Sequence, residues 1–108
     1  MKKSKLINFT TQDFVSEKEL ELKLYRWEKV KDKYIPKLKA SGLLRVVTTK
    51  IWNKEGISRL GHLFEYEDEK AYRACQEIIE KKIMPKAKVS YNSKIRNNRG
   101  IIFYDYRS

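Results

Sequence analysis

The sequence predicts an α+β domain whose elements follow one another in the order β-α-β-β-α-β. A stretch rich in β-branched residues, Leu43–Trp52, is followed by a turn and by an alternating stretch, Ser58–Tyr66, which is the pattern of a β-hairpin. Directly after this hairpin, the apolar repeat changes from every second residue to the spacing of a helix. A segment rich in Glu, Lys and Leu precedes the hairpin, and an apolar segment, Ile101–Arg107, ends the chain. We therefore expect one antiparallel four-stranded sheet with two helices on one face.

The amino-terminal part predicts the first strand and the first helix. Lys5–Thr11 contains Ile7, Phe9 and two threonines, and β-branched and aromatic residues of this kind favour a strand. Ser16 stands three residues before Glu19, the spacing of a capping box at a helix start. Glu17–Ala40 has few β-branched residues and ends at a Ser-Gly pair, where glycine can adopt the left-handed conformation that closes a helix.

The large apolar residues of Glu17–Ala40 fall on one helical stripe. They are Leu20, Leu24, Trp27, Tyr34 and Leu38. A strand over residues 20–27 is the alternative, because leucines alternate at positions 20, 22 and 24. The two caps and the helix propensity favour the helix. Pro36 is expected to kink it or to separate its last turn.

The second half of the chain predicts a strand, a helix and a closing strand. Alternate residues of Ser58–Tyr66 form one apolar face, and Asp68 is placed to cap a helix from about Glu69 to Met84. Lys86–Arg99 is polar and is expected to be irregular, ending in a turn at residues 97–100. Ile101–Arg107 is then the closing strand.

Length and composition indicate a single charged domain over residues 1–108. The chain has 25 Lys and Arg against 14 Asp and Glu, a net charge of +11. Excess positive charge attracts polyanions, but it is also typical of a solvated, lysine-rich surface. Cys75, the only cysteine, excludes an internal disulfide and is expected to be a small buried hydrophobe. No run of about 18 apolar residues suits a membrane span, and no apolar leader segment is visible, so we expect a cytoplasmic protein.

The order of elements is that of the ferredoxin-like split βαβ fold. Within that fold the chain resembles the dimeric α+β barrel superfamily, which includes small monooxygenase-like, haem-degrading and stress-responsive proteins. The resemblance covers nearly the whole chain and depends on KLKASGLL at the end of the first helix, FEYEDEKAYRACQEI at the second, and the terminal RGIIFYDY. It implies two sheets paired into a closed barrel, with ligand pockets between sheet and helices. Some family members work without a metal on substrates that activate oxygen themselves, and others bind haem.

The residues themselves also favour a homodimer. In Leu43–Trp52, one side of the strand presents Leu44, Val46 and Trp52, and the other presents Leu43, Val47 and Ile51. A single sheet can cover only one of these faces with its own helices. Large exposed apolar patches are unusual in a monomer, and isologous pairing is the commonest way to cover them.

His62 is the candidate catalytic residue, because it is the only side chain with an ordinary pKa near neutrality. A structural, hydrogen-bonded histidine is the alternative. Four aromatic side chains are candidates for lining an apolar ligand pocket, or alternatively for filling the core: Trp27, Tyr34, Trp52 and Tyr104. We expect no cofactor and no metal site, since one His and one Cys cannot supply the usual four zinc ligands.

The function expected from these features is binding of a small apolar or aromatic molecule, with monooxygenase-like chemistry. A basic RNA-binding or protein-interaction module without catalysis is the alternative. The RNA-recognition motif shares the order of elements, but Gly61 and Leu63 stand where its two stacking aromatic residues should be. Nucleic acid is therefore not the favoured partner.

Overall fold

The protein is described by a computed structural model over residues 3–53, 55–83 and 94–108, and these form the predicted order of strands and helices. A π-helical turn, Ile79–Ile83, continues the second helix. The elements are β1 (Leu6–Phe14), α1 (Glu17–Ala40), β2 (Leu43–Lys50), β3 (Ser58–Tyr66), α2 (Glu69–Ile78) and β4 (Lys94–Ile101). The prediction of a ferredoxin-like α+β fold is confirmed.

The four strands form one antiparallel sheet in the order β2-β3-β1-β4. β1 lies at the centre, where Leu6 pairs with Tyr66 on one side and with Ile101 on the other. Because side chains alternate along a strand, the even-numbered residues of β1 and β3 point toward the helices. We call this the helix side of the sheet, and the opposite surface the outer face.

α1 is a single helix of 24 residues, so the alternative of a strand over residues 20–27 is excluded. Ser16 caps its start, where the hydroxyl oxygen accepts the Glu19 N–H at 3.2 Å. The helix continues through Pro36 to Ala40. The expectation that Pro36 separates the last turn is therefore not met. The predicted apolar stripe faces the sheet and buries Leu20, Tyr34 and Leu38.

The apolar core is divided into two clusters that lie under opposite ends of α1. The first cluster, near the helix start, contains Phe14, Leu20 and Leu60. The second contains Leu6, Leu38, Leu43, Tyr66, Ala71 and Cys75. Leu20 and Leu38 are about 27 Å apart along the helix at 1.5 Å per residue. The middle of α1 therefore spans a part of the sheet that belongs to neither cluster.

The second cluster contains the contact between α2 and the end of α1. Asp68 caps α2 as predicted, accepting the Ala71 N–H at 2.7 Å. Gly42, after α1, has φ +111, and a Cβ at this position would lie 2.3 Å from the Ala71 Cβ. Only glycine therefore lets α2 approach this closely. Cys75 is fully buried, as predicted, and its thiol donates to the Leu38 carbonyl at 3.4 Å.

The predicted division of β2 into two faces was wrong at its first residue. A β-bulge lies between Leu43 and Arg45, which pair with Tyr66 and Glu65 respectively. The extra residue turns Leu43 toward the helices, where it joins the second core cluster with Val46 packed beside it. Simple alternation cannot detect such an insertion.

The predicted position of the last strand was also wrong. The fourth strand is Lys94–Ile101, which was expected to be irregular, and residues 102–107 lie beyond it. All eight of its residues are exposed, so its place in the sheet depends on backbone pairing with β1 rather than on apolar side chains. β1 is longer than predicted, extending to Phe14. The predictions for Met84 and for residues 86–93 lie outside the described residues.

Candidate ligand site between sheet and helix

The helix side of the sheet is polar between the two core clusters. Thr10, His62 and Thr48 stand opposite one another on β1, β3 and β2. Asn8 and Gln12 flank Thr10 on β1. We call these five residues the polar belt. A row of polar side chains beneath a covering helix is unusual, because such positions normally supply the core.

His62 is the titratable group of the polar belt. Its ring is half-buried, and Nδ1 lies 3.1 Å from the Thr48 hydroxyl, within hydrogen-bond distance. Burial, assisted by the positive charge of Lys23, lowers the pKa of His62 from 6.5 to about 4. The imidazole is therefore neutral at pH 7. A neutral ring has one nitrogen that donates and one that accepts, so it can receive a proton from a bound molecule.

Asn8 supplies an acceptor whose hydrogen bond is not made within the described residues. Its side chain is 5% exposed, and its Oδ1 has no hydrogen-bond partner in the described part of the chain. A buried acceptor left in this state costs about 1–3 kcal/mol. Asn8 pairs across the sheet with Phe64, next to the Thr10–His62 pair. The polar belt thus offers an acceptor that a hydroxyl or N–H group of a ligand can satisfy.

α1 covers the polar belt with one cationic and one aromatic side chain. Burial lowers the pKa of Lys23, and the charge of Lys23 in turn acts on His62, so both groups share this part of the interface. Trp27 is half-buried one helical turn further along. A cation beside a neutral imidazole can stabilise an oxyanion that forms when the imidazole takes a proton.

The structure separates the aromatic residues proposed as a pocket lining. Trp27 and Tyr34 lie on the side of α1 that faces the sheet, Trp27 half-buried and Tyr34 buried in the core. Trp52 and Tyr104 are 89% and 82% exposed, beyond the ends of β2 and β4. Within one chain, these last two residues do not meet His62.

The polar belt includes residues that sequence reasoning missed. Asn8, Thr10 and Gln12 alternate with outward-facing residues, between Leu6 and Phe14, which both point to the core. This interruption of an otherwise apolar strand face was the signal available in the sequence. Lys23 carried no such signal, because it is one of several lysines on α1.

In the described part of the chain, two surface grooves are lined by residues other than His62. One, of about 320 Å³, lies on the outer face and is lined by Ile7, Asn98, Arg99, Gly100, Ile101, Ile102 and Tyr104. The other, of about 480 Å³, runs along α2 and is lined by Tyr72, Arg73, Gln76, Glu77, Glu80 and Arg99.

The described residues show no grouping of three or more His, Cys, Asp or Glu side chains that could hold a metal ion. Within the same ranges, no helix combines the length and the apolar character needed to cross a membrane.

Comparison with known proteins assigns the family. Residues 3–102 match the model of the family described as Domain of unknown function (DUF6974). The chain belongs to this family. Among proteins of curated function, no match was found.

Solved structures agree with the fold. A dimeric ferredoxin-like protein from an uncultured marine organism is 38% identical over 97% of this chain and 100% of that chain, with a TM-score of 0.86. A second protein of the same description and source is 24% identical over 96% of this chain and 100% of that chain, with a TM-score of 0.90. SnoaB, a cofactor-independent oxygenase from Streptomyces nogalater, is 12% identical over 97% of this chain and 100% of that chain, with a TM-score of 0.64. The likeness to ferredoxin-like and monooxygenase-like folds predicted from the sequence is confirmed.

Proposed function

We propose that this chain forms a cytoplasmic homodimer in which each copy binds a small, largely apolar aromatic molecule between the sheet and α1. The bound molecule carries a hydroxyl group that faces the polar belt. The reaction that fits this arrangement is a monooxygenase-like oxidation in which the substrate is itself the reductant: a methylene group becomes a carbonyl, one atom of dioxygen enters the substrate, and the other leaves as water with the two hydrogens of that carbon.

The observation that supports this proposal best is the unpartnered, buried Oδ1 of Asn8 next to neutral His62. A domain that only needed a core would place apolar side chains here, as it does at both ends of α1. A phenolic or enolic hydroxyl supplies the donor that Asn8 lacks. Leu24, Trp27 and Phe64 provide the apolar surroundings for the rest of the molecule.

The same residues suit the first step of such an oxidation. The ammonium group of Lys23 lowers the pKa of an enol or phenol bound beside His62 and stabilises its oxyanion, and neutral His62 accepts the proton of that group, which is distinct from the hydroxyl that donates to Asn8. An electron-rich anion of this kind can reduce dioxygen by itself, so the protein needs only to bind, orient and deprotonate the substrate. The fold shared with a cofactor-independent oxygenase is consistent with this chemistry.

The homodimer is supported by the outer face of the sheet. In the described part of the chain, both helices pack on the helix side, and the outer face presents Ile7, Phe9, Val47, Ile51 and Leu63. The 38% identical relative is a dimeric protein. The single cysteine, fully buried in the core, needs no oxidising compartment, which fits a cytoplasmic location.

The binding proposal is tested with two matched probes, naphthol and naphthalene, titrated by calorimetry. They have the same ring system, and only naphthol carries a hydroxyl. We expect naphthol to bind about tenfold more tightly, and Asn8→Leu to remove most of that difference, because it deletes the acceptor at similar volume. Tyr25→Ala, which changes an exposed residue of α1, is the matched control and should bind both probes like the wild type.

A second measurement identifies natural ligands. Mass spectrometry of small molecules that co-purify with the native protein should detect a hydroxylated aromatic compound, and His62→Ala should retain less of it while the protein remains folded.

In the calorimetric titrations, equal affinity for naphthol and naphthalene, together with an Asn8→Leu variant that binds like the wild type, would contradict the proposed site.

A further inference from the structure

The carboxyl-terminal tail, residues 102–108, exposes three aromatic rings in succession. The Ile102 N–H donates to the Lys5 carbonyl at 3.0 Å, which prolongs the pairing of β4 with β1. Phe103, Tyr104 and Tyr106 are then 101%, 82% and 74% exposed. Aromatic side chains bury large areas when they pack, so rings this exposed on one short segment point to a missing partner surface.

The tail is nevertheless tied to its own sheet by charge. Arg107 lies 3.5 Å from Oε1 of Glu65 and 3.4 Å from Oδ2 of Asp105. Glu65, on the outer face of β3, is 4% exposed. It also accepts the Ser4 hydroxyl at 2.9 Å and pairs with Arg45 at 3.3 Å. This carboxylate anchors the tail, because two guanidinium groups compensate its charge and the Ser4 hydroxyl donates to it.

The anchor and the rings face different surroundings. The Arg107 side chain connects the tail, which continues from β4, to Glu65 of β3 on the face that the helices leave uncovered. Phe103 and Tyr106 do not pack on that face, as their exposure shows, and Tyr104, which is also mostly exposed, only lines one wall of a groove there. The Arg107–Glu65 contact thus positions the tail on its own sheet, while the aromatic rings of the tail remain exposed to solvent.

The outer face also offers a place for such a ring. The groove lined by Ile7, Gly100, Ile102 and Tyr104 has a volume of about 320 Å³. An apolar cavity of about 150 Å³ can hold benzene, so this groove can accept an aromatic side chain. Both the groove and the tail lie on the outer face, so a two-fold axis through that face would bring each tail to the other copy.

We infer that the tail is a clamp between two copies of this chain, with the aromatic rings of one copy packed on the outer face of the other. This inference depends on the homodimer in the proposed function. Glu65 is the positioning residue of the clamp, and Phe103, Tyr104 and Tyr106 supply its contacts. The clamp also explains how two copies that each carry a net charge of +11 can associate, since apolar burial offsets their repulsion.

Sedimentation equilibrium of three proteins tests the clamp. We expect the wild type to be a dimer, and a Phe103→Ser, Tyr104→Ser, Tyr106→Ser triple variant to have a dissociation constant at least tenfold higher. Tyr25→Ser changes an exposed tyrosine of α1 and should leave the constant unchanged. A wild type that is monomeric at micromolar concentration would refute both the dimer and the clamp. A dimer that the triple variant does not weaken would refute the clamp alone.

A measurement without substitutions keeps the test independent of folding. In a dimer mixed from isotope-labelled and unlabelled copies, nuclear Overhauser effects should connect tail ring protons of one copy to the methyl groups of Ile7 in the other. Contacts only within one copy would contradict the clamp.

Glu65→Gln should weaken the dimer less than the triple variant does, because it loosens the position of the rings and leaves them present.

Discussion

Acidification from pH 7 to pH 5 should destabilise this protein through His62. The folded state holds the pKa of His62 at about 4, whereas the unfolded chain has the ordinary value of 6.5. Below pH 6.5 the unfolded chain therefore binds a proton that the folded protein does not, and stability falls as the pH falls. The loss would be complete only below the folded pKa of about 4.

The size of this effect follows from the two pKa values. The full difference between 6.5 and about 4 corresponds to about 3 kcal/mol, at 1.36 kcal/mol for each tenfold change. At pH 5 the unfolded histidine is almost fully protonated and the folded one is still mostly neutral, so about 2 kcal/mol is lost by then. Carboxylates contribute little between pH 7 and pH 5, because the ordinary pKa values of Asp and Glu lie below this range. In the folded state the pKa values of Asp13, Glu17 and Glu77 are lower still.

Urea unfolding followed by circular dichroism, at a fixed protein concentration, measures this loss. The matched variant is His62→Gln, which keeps a hydrogen-bonding side chain near Thr48 but does not titrate. We expect the free energy of unfolding to fall by about 2 kcal/mol more in the wild type than in the variant between pH 7 and pH 5. Since His62 is the only histidine of the chain, the difference belongs to it. Parallel pH profiles for the two proteins would refute the argument that His62 is buried in its neutral form.

Three further predictions test the packing, the electrostatics and the surface charge. Gly42→Ala should lower the free energy of unfolding by about 3 kcal/mol through a strained φ and a collision with Ala71, while Gly56→Ala, with φ +75 and open space around it, should cost about 1 kcal/mol; equal losses in chemical denaturation would contradict the steric argument. Lys23→Met should raise the pKa of His62 in an NMR titration, yet leave it below 6.5 because burial is the larger cause; an unchanged pKa would show that Lys23 does not reach the ring. Binding to a random single-stranded RNA, measured by fluorescence anisotropy, should disappear by about 150 mM salt if charge alone is responsible; sequence-dependent binding that persists there would support the nucleic-acid alternative.

The fold could be predicted where side-chain patterns record burial. The stripe from Leu20 to Leu38 and the caps at Ser16 and Asp68 predicted both helix starts, because these features depend on local contacts. β4 could not be predicted in the same way. It is held by backbone pairing at the edge of the sheet, and all its side chains are exposed, so its sequence shows no period.

The candidate site could be predicted only in part, for a related reason. His62 stood out as the only histidine, and its place on the helix side follows from alternation with Leu60 and Phe64. Asn8 could not be assigned to the site from sequence, because that requires the register of β1 against β3 and the gap between the two core clusters. Both are properties of the assembled sheet rather than of any local segment.

The proposal of a ligand at the polar belt is tested most directly by the NMR signals of the His62 imidazole during titration with naphthol. These signals are the only histidine resonances of the protein, so their assignment requires no variant. We predict that the ring protons of His62 shift progressively with naphthol and reach saturation at the dissociation constant found by calorimetry. Binding of naphthol that leaves the His62 resonances unmoved would place the ligand elsewhere and contradict the proposed site.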